Sequence, residues 1–272
     1  MSKKSYIDVS DLPDFLKLAN LMALINDKVL EITEYFRVSG FTKAVIGLSG
    51  GIDSALAAAL AVRALGPENV ITVRLPYESN NDKSLMIAKE IADFLKIPKE
   101  NQLTVDITES VNRTWCFVEG IPRGNEKLRV GNIAARMRMI ILMDVSAAYT
   151  ALLVGTENKT EEYLAYFTIG GDQISSIEPS KNLWKVQVFQ LALALDLPES
   201  VLSRAPSAEL WQGQTDEGEL DLTYVQIDTV LAAHDGDFDP KEYGISAEIE
   251  QKVLNHVEKV TGKREAPYIL QS

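Results

Sequence analysis

Ser49-Gly50-Gly51-Ile52-Asp53-Ser54 brings two hydroxyls, two adjacent glycines and a carboxylate together in one short turn. Paired glycines let backbone N–H groups converge with no Cβ in the way, and the alanine-rich stretch from Ala55 has the propensity to continue as a helix. A helix starting here points its positive end into the same space, so the turn suits an anion. Ser49 and Ser54 add hydroxyl donors. Asp53 would repel phosphate oxygens unless a divalent cation stood between them, so its presence points to a metal–phosphate ligand. The γ-phosphate lysine of a G-x-x-x-x-G-K-[ST] loop is missing, and no G-x-G-x-x-G follows the first apolar run.

The turn needs a strand before it and a helix after it, and the flanking residues predict both. Lys43-Ala44-Val45-Ile46 reads as a buried strand, and the helix after the turn stops at Gly66-Pro67. Upstream, apolar residues at helical spacing predict one helix over Val9 to Val38, ended by Gly40. Val70 to Leu75 is a second strand whose polar exit, Pro76 to Asn81, lies on the ligand side expected at the carboxyl ends of strands. Asp82 caps a helix over Lys83 to Lys96, and Leu103 to Ile107 and Ala151 to Thr156 are the third and fourth strands. A short helix spans Ser110 to Phe117, and Glu119 to Arg129 reads as a charged loop. The long helix from Gly131 is apolar almost all round, which predicts burial on more than one side, by the core and by a second subunit.

Strands alternating with helices of this length predict parallel βαβ units and a doubly wound, mainly parallel α/β sheet, Rossmann-like. Beyond Lys185 the pattern is helical, over Val186 to Leu195, Glu199 to Arg204, Thr223 to His234 and Ser246 to Val260. The expected organisation is one domain over 1–272: a helical segment 1–40, a nucleotide-binding core 41–185 and a C-terminal helical extension 186–272. The polar stretch Ser207 to Glu219 suits a lid that orders on binding.

A net charge of −12, from 39 acidic and 27 basic residues, repels nucleic acid at long range. No apolar run is long enough to span a membrane and the N-terminus has no signal-like apolar segment, so a cytoplasmic location is expected. The single cysteine, Cys116 between Trp115 and Phe117, reads as a small buried hydrophobe. His234 and His256 lack zinc-site spacing, and Asp235, Asp237 and Asp239 lack the glycine and glutamate of a calcium loop.

The turn resembles the S-G-G-x-D-S signature of the N-type ATP pyrophosphatases, of the adenine nucleotide alpha hydrolase type, in which the β,γ-pyrophosphate departs after attack at the α-phosphate. Three further blocks make the resemblance specific: Gly131-Asn132-Ile133-Ala134-Ala135-Arg136-Met137-Arg138-Met139, Leu153-Val154-Gly155-Thr156-Glu157-Asn158-Lys159-Thr160-Glu161 with Tyr166-Phe167-Thr168, and Pro206-Ser207-Ala208-Glu209-Leu210-Trp211-Gln212-Gly213-Gln214-Thr215-Asp216-Glu217. In order and spacing they are similar to the NAD synthetase family over about Phe41 to Asp228. The resemblance implies ATP phosphates on Gly47, Leu48, Ser49, Gly50, Gly51, Ile52, Asp53 and Ser54, with further ATP contacts from Thr156, Lys185 and Ser207. It implies Mg²⁺ between Asp53 and Glu161, deamido-NAD on Arg136 and Lys263, and a homodimer with the acceptor site near the subunit interface. Asp53 and Lys185 would be the catalytic pair, with Lys185 and Mg²⁺ stabilising the leaving pyrophosphate.

The implied reaction is attack of a carboxylate on the α-phosphorus of ATP, then capture of the acyl-adenylate by ammonia to give an amide and AMP. No catalytic thiol or nitrilase-like extension is visible, so ammonia comes from solution or a separate donor. Two family residues that grip deamido-NAD, a lysine and an aspartate, are replaced by Ile169 and Ser176, and a His-Lys pair appears as Gly262-Lys263. Losing two charged contacts costs ~3–6 kcal/mol of binding, which leaves a related amide ligase for another carboxylate, or a non-catalytic nucleotide-binding relative, as alternatives.

Overall fold

The computed structural model describes residues 4–78, 82–122, 124–207, 215–236 and 238–264. Four strands, β1 (Ala44–Gly47), β2 (Val70–Arg74), β3 (Gln102–Thr104) and β4 (Leu152–Val154), form a sheet in the order β3-β2-β1-β4 with every pairing parallel. Ala44 stands beside Val70 on one side and Leu152 on the other, so β1 is where the chain reverses its direction of travel across the sheet. Ligands of open α/β sheets bind at the carboxyl end of such a switch point, and here β1 delivers the Ser49–Ser54 turn to it. This is the expected doubly wound Rossmann-like sheet.

Alternation along the strands builds a layer on each face. Ala44 and Ile46 point into a core shared with α1 (Leu21–Ser39), α2 (Ile52–Leu65), α7 (Lys185–Ala194) and α10 (Tyr224–Asp235). Val45, Ile71, Val73 and Leu153 point the other way, onto α4 (Thr108–Val118) and α5 (Glu126–Tyr149). Helix α2 is buried along most of its length from Ile52 to Ala61; alanine lets it lie close to the sheet and to α1 and α7. The remaining helices are α3 (Asp82–Phe94), α6 (Lys159–Tyr163), α8 (Glu199–Leu202), α9 (Asp216–Leu220) and α11 (Ala247–Arg264).

Three expectations need correcting. Val9 to Val38 is not one helix: Val9–Asp11 and Asp14–Leu16 are separate 3₁₀ turns around Pro13, and α1 starts only at Leu21 with Asn20 capping Ala23 N. The charged segment before Gly131 is not all loop, because Asn125 caps Leu128 N and α5 begins at Glu126, with Gly131 inside it. Cys116 is exposed, not buried: α4 buries only Val111, and Cys116 and Phe117 lie on its solvent face. The expected lid falls mostly on 208–214, outside the described residues; Thr215 caps α9 just beyond.

Among the glycines held at positive φ, two differ in what surrounds them. Gly40 ends α1 at φ +77°, with open space where a Cβ would stand. Gly50 has φ +86°, and a Cβ there would lie 2.5 Å from the Ser84 carbonyl oxygen. Chemical denaturation should therefore separate them: Gly40→Ala should cost about 1 kcal/mol from backbone strain alone, and Gly50→Ala more, roughly 2–3 kcal/mol, because the turn must also move off α3.

Candidate active site

A cavity of about 680 Å³ opens at the carboxyl end of β1 and β4. Gly47, Leu48, Ser49, Gly51, Ile52, Asp53 and Ser54 line one wall, with Gly50 folded back against Ser84 and Arg204. Thr156 and Glu161 line the wall after β4, Lys185 and Lys263 line it from α7 and α11, and Ser207 lines it from the segment after α8. Arg136 does not line the cavity: it is exposed on α5, and its Nε donates to the Ile169 carbonyl at 3.1 Å. Arg138, two residues on, does line it, held by donation from Nε to the Leu75 carbonyl.

The turn is pre-shaped by its own serines. Ser49 N donates to Ser54 Oγ at 3.3 Å, Gly51 N to Ser49 Oγ at 3.1 Å, and Ser54 Oγ to the Gly51 carbonyl at 3.0 Å. Hydroxyls that rotate freely satisfy these amides, so the same N–H groups are available to phosphate oxygens without refolding the loop.

Lys185 is the centre of the site. Its side chain is 2 % exposed, and its Nζ lies 2.7 Å from Asp53 Oδ2 and 3.0 Å from Glu161 Oε1. Asn158, fully buried, ties the two acids from the other side: its Nδ2 donates to Asp53 Oδ1 at 2.8 Å, its backbone N to Glu161 Oε2, and its Oδ1 accepts from Glu161 N in a capping box that starts α6. A lysine at the first position of a helix opposes the helix dipole, and Asp228 offsets this. Asp228 accepts from Val186 N at 2.9 Å and from Thr160 Oγ1 at 2.6 Å, while Thr160 Oγ1 accepts from Lys185 N at 2.8 Å. One acid on α10 thereby positions both α6 and α7. The approach to Lys185 is anchored by Lys28 of α1, buried and donating to the Pro179 carbonyl and Asn182 Oδ1, both at 2.7 Å.

Burial alone would lower the Lys185 pKa, but Asp53 and Glu161 more than offset it and hold the ammonium charged far above neutral pH. Burial raises Glu161, against the opposing pull of Lys185 and with Asp53 adding to the rise. Asp228 is pushed up to about 7 by burial, partly countered by its Thr160 and Val186 donors. Beside this cluster, Tyr224 donates to Asp216 at 2.8 Å and Tyr166 to Glu219 at 2.7 Å.

At the far end of the cavity, Lys263 donates to the Ala165 carbonyl at 2.8 Å and to the Phe167 carbonyl. Ile169 and Ser176, the two departures, do not line it, whereas Asp172, which accepts from Thr168 N at 2.7 Å, and Ile174 do. Sequence reasoning missed Asn158, Asp172 and Asp228. Asn158-x-x-Glu161 carries a readable capping-box pattern, and Asp228 is an acid set among the apolar residues of its helix; nothing local marks Asp172.

Behind Gly155 and Thr156 a second acidic group is buried. Glu178 donates nothing and accepts from Ser175 Oγ at 2.6 Å and Glu157 N at 3.2 Å, pressed so close to Gly155 that a Cβ there would lie 1.9 Å from its Oε1. Burial, then the neighbouring Glu178, pushes Glu157 up to about 7, with Lys181 pulling the other way. Glu157 therefore keeps its proton longer in the folded chain than in the unfolded one, so its contribution to stability falls as pH rises from 4.5 to about 7. Glu157→Gln should raise the unfolding free energy at pH 8 by about 1–3 kcal/mol, and by much less at pH 5, in denaturant titrations at the two pH values.

The family model for NAD synthase matches residues 24–267. The NH₃-dependent NAD⁺ synthetase of Fusobacterium nucleatum is 44% identical over 216 residues, covering 78% of this chain and 80% of that protein. The NH₃-dependent NAD⁺ synthetase of Chlorobium phaeovibrioides is 47% identical over 195 residues, 72% of this chain and 68% of that one. Among solved structures, the NMN synthetase of Francisella tularensis superposes with a TM-score of 0.81 at 31% identity, covering 93% of this chain and 99% of that one. The NH₃-dependent NAD synthetase of Campylobacter jejuni gives 0.76 at 28% identity, covering 93% and 100%. A phosphate-suited turn and a buried Asp53–Lys185–Glu161 cluster in one cavity, together with a family match from residue 24 to 267, show that this chain belongs to the NAD synthase family.

Proposed function

We infer that the chain amidates deamido-NAD to NAD with ammonia, at the expense of ATP cleaved to AMP and pyrophosphate. The observation that carries this is the convergence of Asp53 on the turn, Glu161 after β4 and Lys185 on α7 at one point of the cavity. ATP is placed with its β,γ-phosphates on the Ser49–Ser54 turn, with Thr156 and Ser207 flanking it. The nicotinate carboxylate attacks the α-phosphorus; a C–O–P bond forms, the bond to the β-phosphate oxygen breaks, and pyrophosphate leaves on the turn. Lys185 neutralises charge on that leaving group. Ammonia then adds to the acyl carbon, gives up a proton to solvent, and expels AMP. Positioning and charge neutralisation do most of the work.

Asp53 and Glu161 are the residues that would hold Mg²⁺, and the donor set fits: two carboxylates already share one cation, the Lys185 ammonium. Bound there, the ion would supply charge stabilisation for the pyrophosphate. Lys263, Asp172 and Arg138 line the part of the cavity left for deamido-NAD. A cytoplasmic location, where ATP is made available, accompanies this reading, and ammonia arrives from solution or a separate donor.

The proposed homodimer uses the outer face of α5. Arg136, Ile140 and Met143 follow one another at helical spacing, with Ile140 60 % and Met143 49 % exposed and Phe117 bare on neighbouring α4. A partner covering this stripe would also enclose Arg136, which supports its assignment to the acceptor at the subunit interface.

Incubation with ATP, ammonium and deamido-NAD should release AMP and pyrophosphate in step with NAD. Release of ADP and phosphate would refute the reaction, and turnover only with the deamidated mononucleotide would refute the acceptor. Asp53→Asn should lower turnover by roughly a hundredfold or more with the fold retained by circular dichroism. The double variant Ile140→Glu, Met143→Glu should run as a monomer in light scattering at concentrations where the unaltered protein runs as a dimer; equal masses would exclude this interface.

A further inference from the structure

All four oxygens of Asp53 and Glu161 already accept a hydrogen bond or ion pair within the chain. Asp53 Oδ1 and Glu161 Oε2 face Asn158, and Asp53 Oδ2 and Glu161 Oε1 face the Lys185 ammonium. The space between the two carboxylates is therefore filled by Nζ, at 2.7 and 3.0 Å. A divalent ion bound by both acids at ~2.0–2.1 Å would need that position for itself. The ion and Nζ cannot both stand there, because the ammonium at hydrogen-bond distance from both acids fills the space that an ion coordinated by both would need.

We propose that Lys185 is the resident cation of the Asp53–Glu161 site, and that a divalent metal enters only by displacing it, so that nucleotide must bring the metal in. This rests on the assignment of the metal to Asp53 and Glu161 made above. A displaced lysine that stays buried, 2 % exposed at the first position of α7, needs a closer anion than Asp216, whose carboxylate already accepts from the Tyr224 hydroxyl, and metal alone supplies none. The phosphates of ATP do. They lie, in the proposed pose, on the turn that carries Asp53, so the nucleotide offers Lys185 a new partner as its metal takes the old ones. Asp216 and the Tyr224 ring, 5.1 Å from Nζ, stay beside the lysine throughout and keep it from leaving the cavity.

The exchange has two physical consequences. Without nucleotide the two acids share an internal cation that screens their repulsion, so the site neither collapses through it nor collects stray metal. With nucleotide, the lysine arrives at the phosphates in the same event that loads the metal.

Titration with Mn²⁺ in the absence of nucleotide, followed by electron paramagnetic resonance, tests this directly. Lys185→Met should bind Mn²⁺ roughly tenfold or more tightly than the unaltered protein, and adding Asp53→Asn to it should abolish the gain. Equal or weaker binding by Lys185→Met overturns the exchange. Should Lys185→Met fail to fold, the unaltered protein gives an independent reading through its ¹⁵N-lysine side-chain resonances. A buried, ion-paired ammonium resonance should persist with Mg²⁺ alone and shift with Mg²⁺ and ATP; a shift of the same size with Mg²⁺ alone overturns the proposal. If Mg²⁺ and ATP together leave that resonance unmoved while ATP still binds, the metal assignment fails along with the exchange. An unchanged Mn²⁺ affinity in Lys185→Met, alongside a nucleotide-dependent Mn²⁺ signal that Asp53→Asn removes, overturns the exchange and leaves the metal assignment standing.

Discussion

The buried ammonium of Lys185 between Asp53 and Glu161 is the interaction on which the architecture of the site depends. Removing three charged groups from water is costly, and the cost is offset only if each finds a close partner of opposite sign. That requirement draws in the rest of the molecule. Asp53 comes from the turn after β1, Glu161 from α6 after β4, Lys185 from the start of α7, and Asn158 fills the remaining side. The three elements must meet within a few tenths of an ångström, and the switch point of the sheet is where the chain lets them.

Asp228 shows how far the requirement propagates. It touches neither the turn nor Glu161, yet through Thr160 and the α7 amides it fixes the ends of both helices that carry the charged pair. Its own burial raises its pKa, and its donors return part of that cost. The apolar layer around it, Tyr224, Ile227, Val230 and Leu231 against α2 and α7, is what allows an acid to sit there with only internal partners. Packing and electrostatics in this region are one arrangement.

The far end of the cavity is built on different terms. Lys263 bonds main-chain carbonyls of Ala165 and Phe167, Asp172 accepts a main-chain amide, and Arg138 holds a main-chain carbonyl. Lys263 and Asp172 brace the 165–172 segment, and all three groups line the cavity, so the loss of a lysine at Ile169 and an aspartate at Ser176 does not leave this side without charge. The outer face of α5, with Ile140 and Met143 in solvent and Arg136 beside them, is left uncovered by the chain's own core.

Much of this was legible from local pattern. Strand, glycine turn and helix around Ser49–Ser54, the alternation that implies a parallel sheet, and the anion-binding chemistry all follow from short-range sterics and hydrogen bonding, which neighbouring residues determine. Where reasoning from periodicity failed, a local competitor won: Pro13 broke an apolar stripe that looked continuous to Val38, and Asn125 started α5 ahead of Gly131. What the chain order could not settle is which distant groups share a buried space. From sequence, Lys185 is assigned to the phosphates through the family resemblance alone, Arg136 and not Arg138 is assigned to the acceptor, and Asp228 is given no role. Only the folded chain decides these, because burial and the identity of a charge's partner depend on residues more than a hundred positions apart, as Asp53 is from both Asn158 and Lys185.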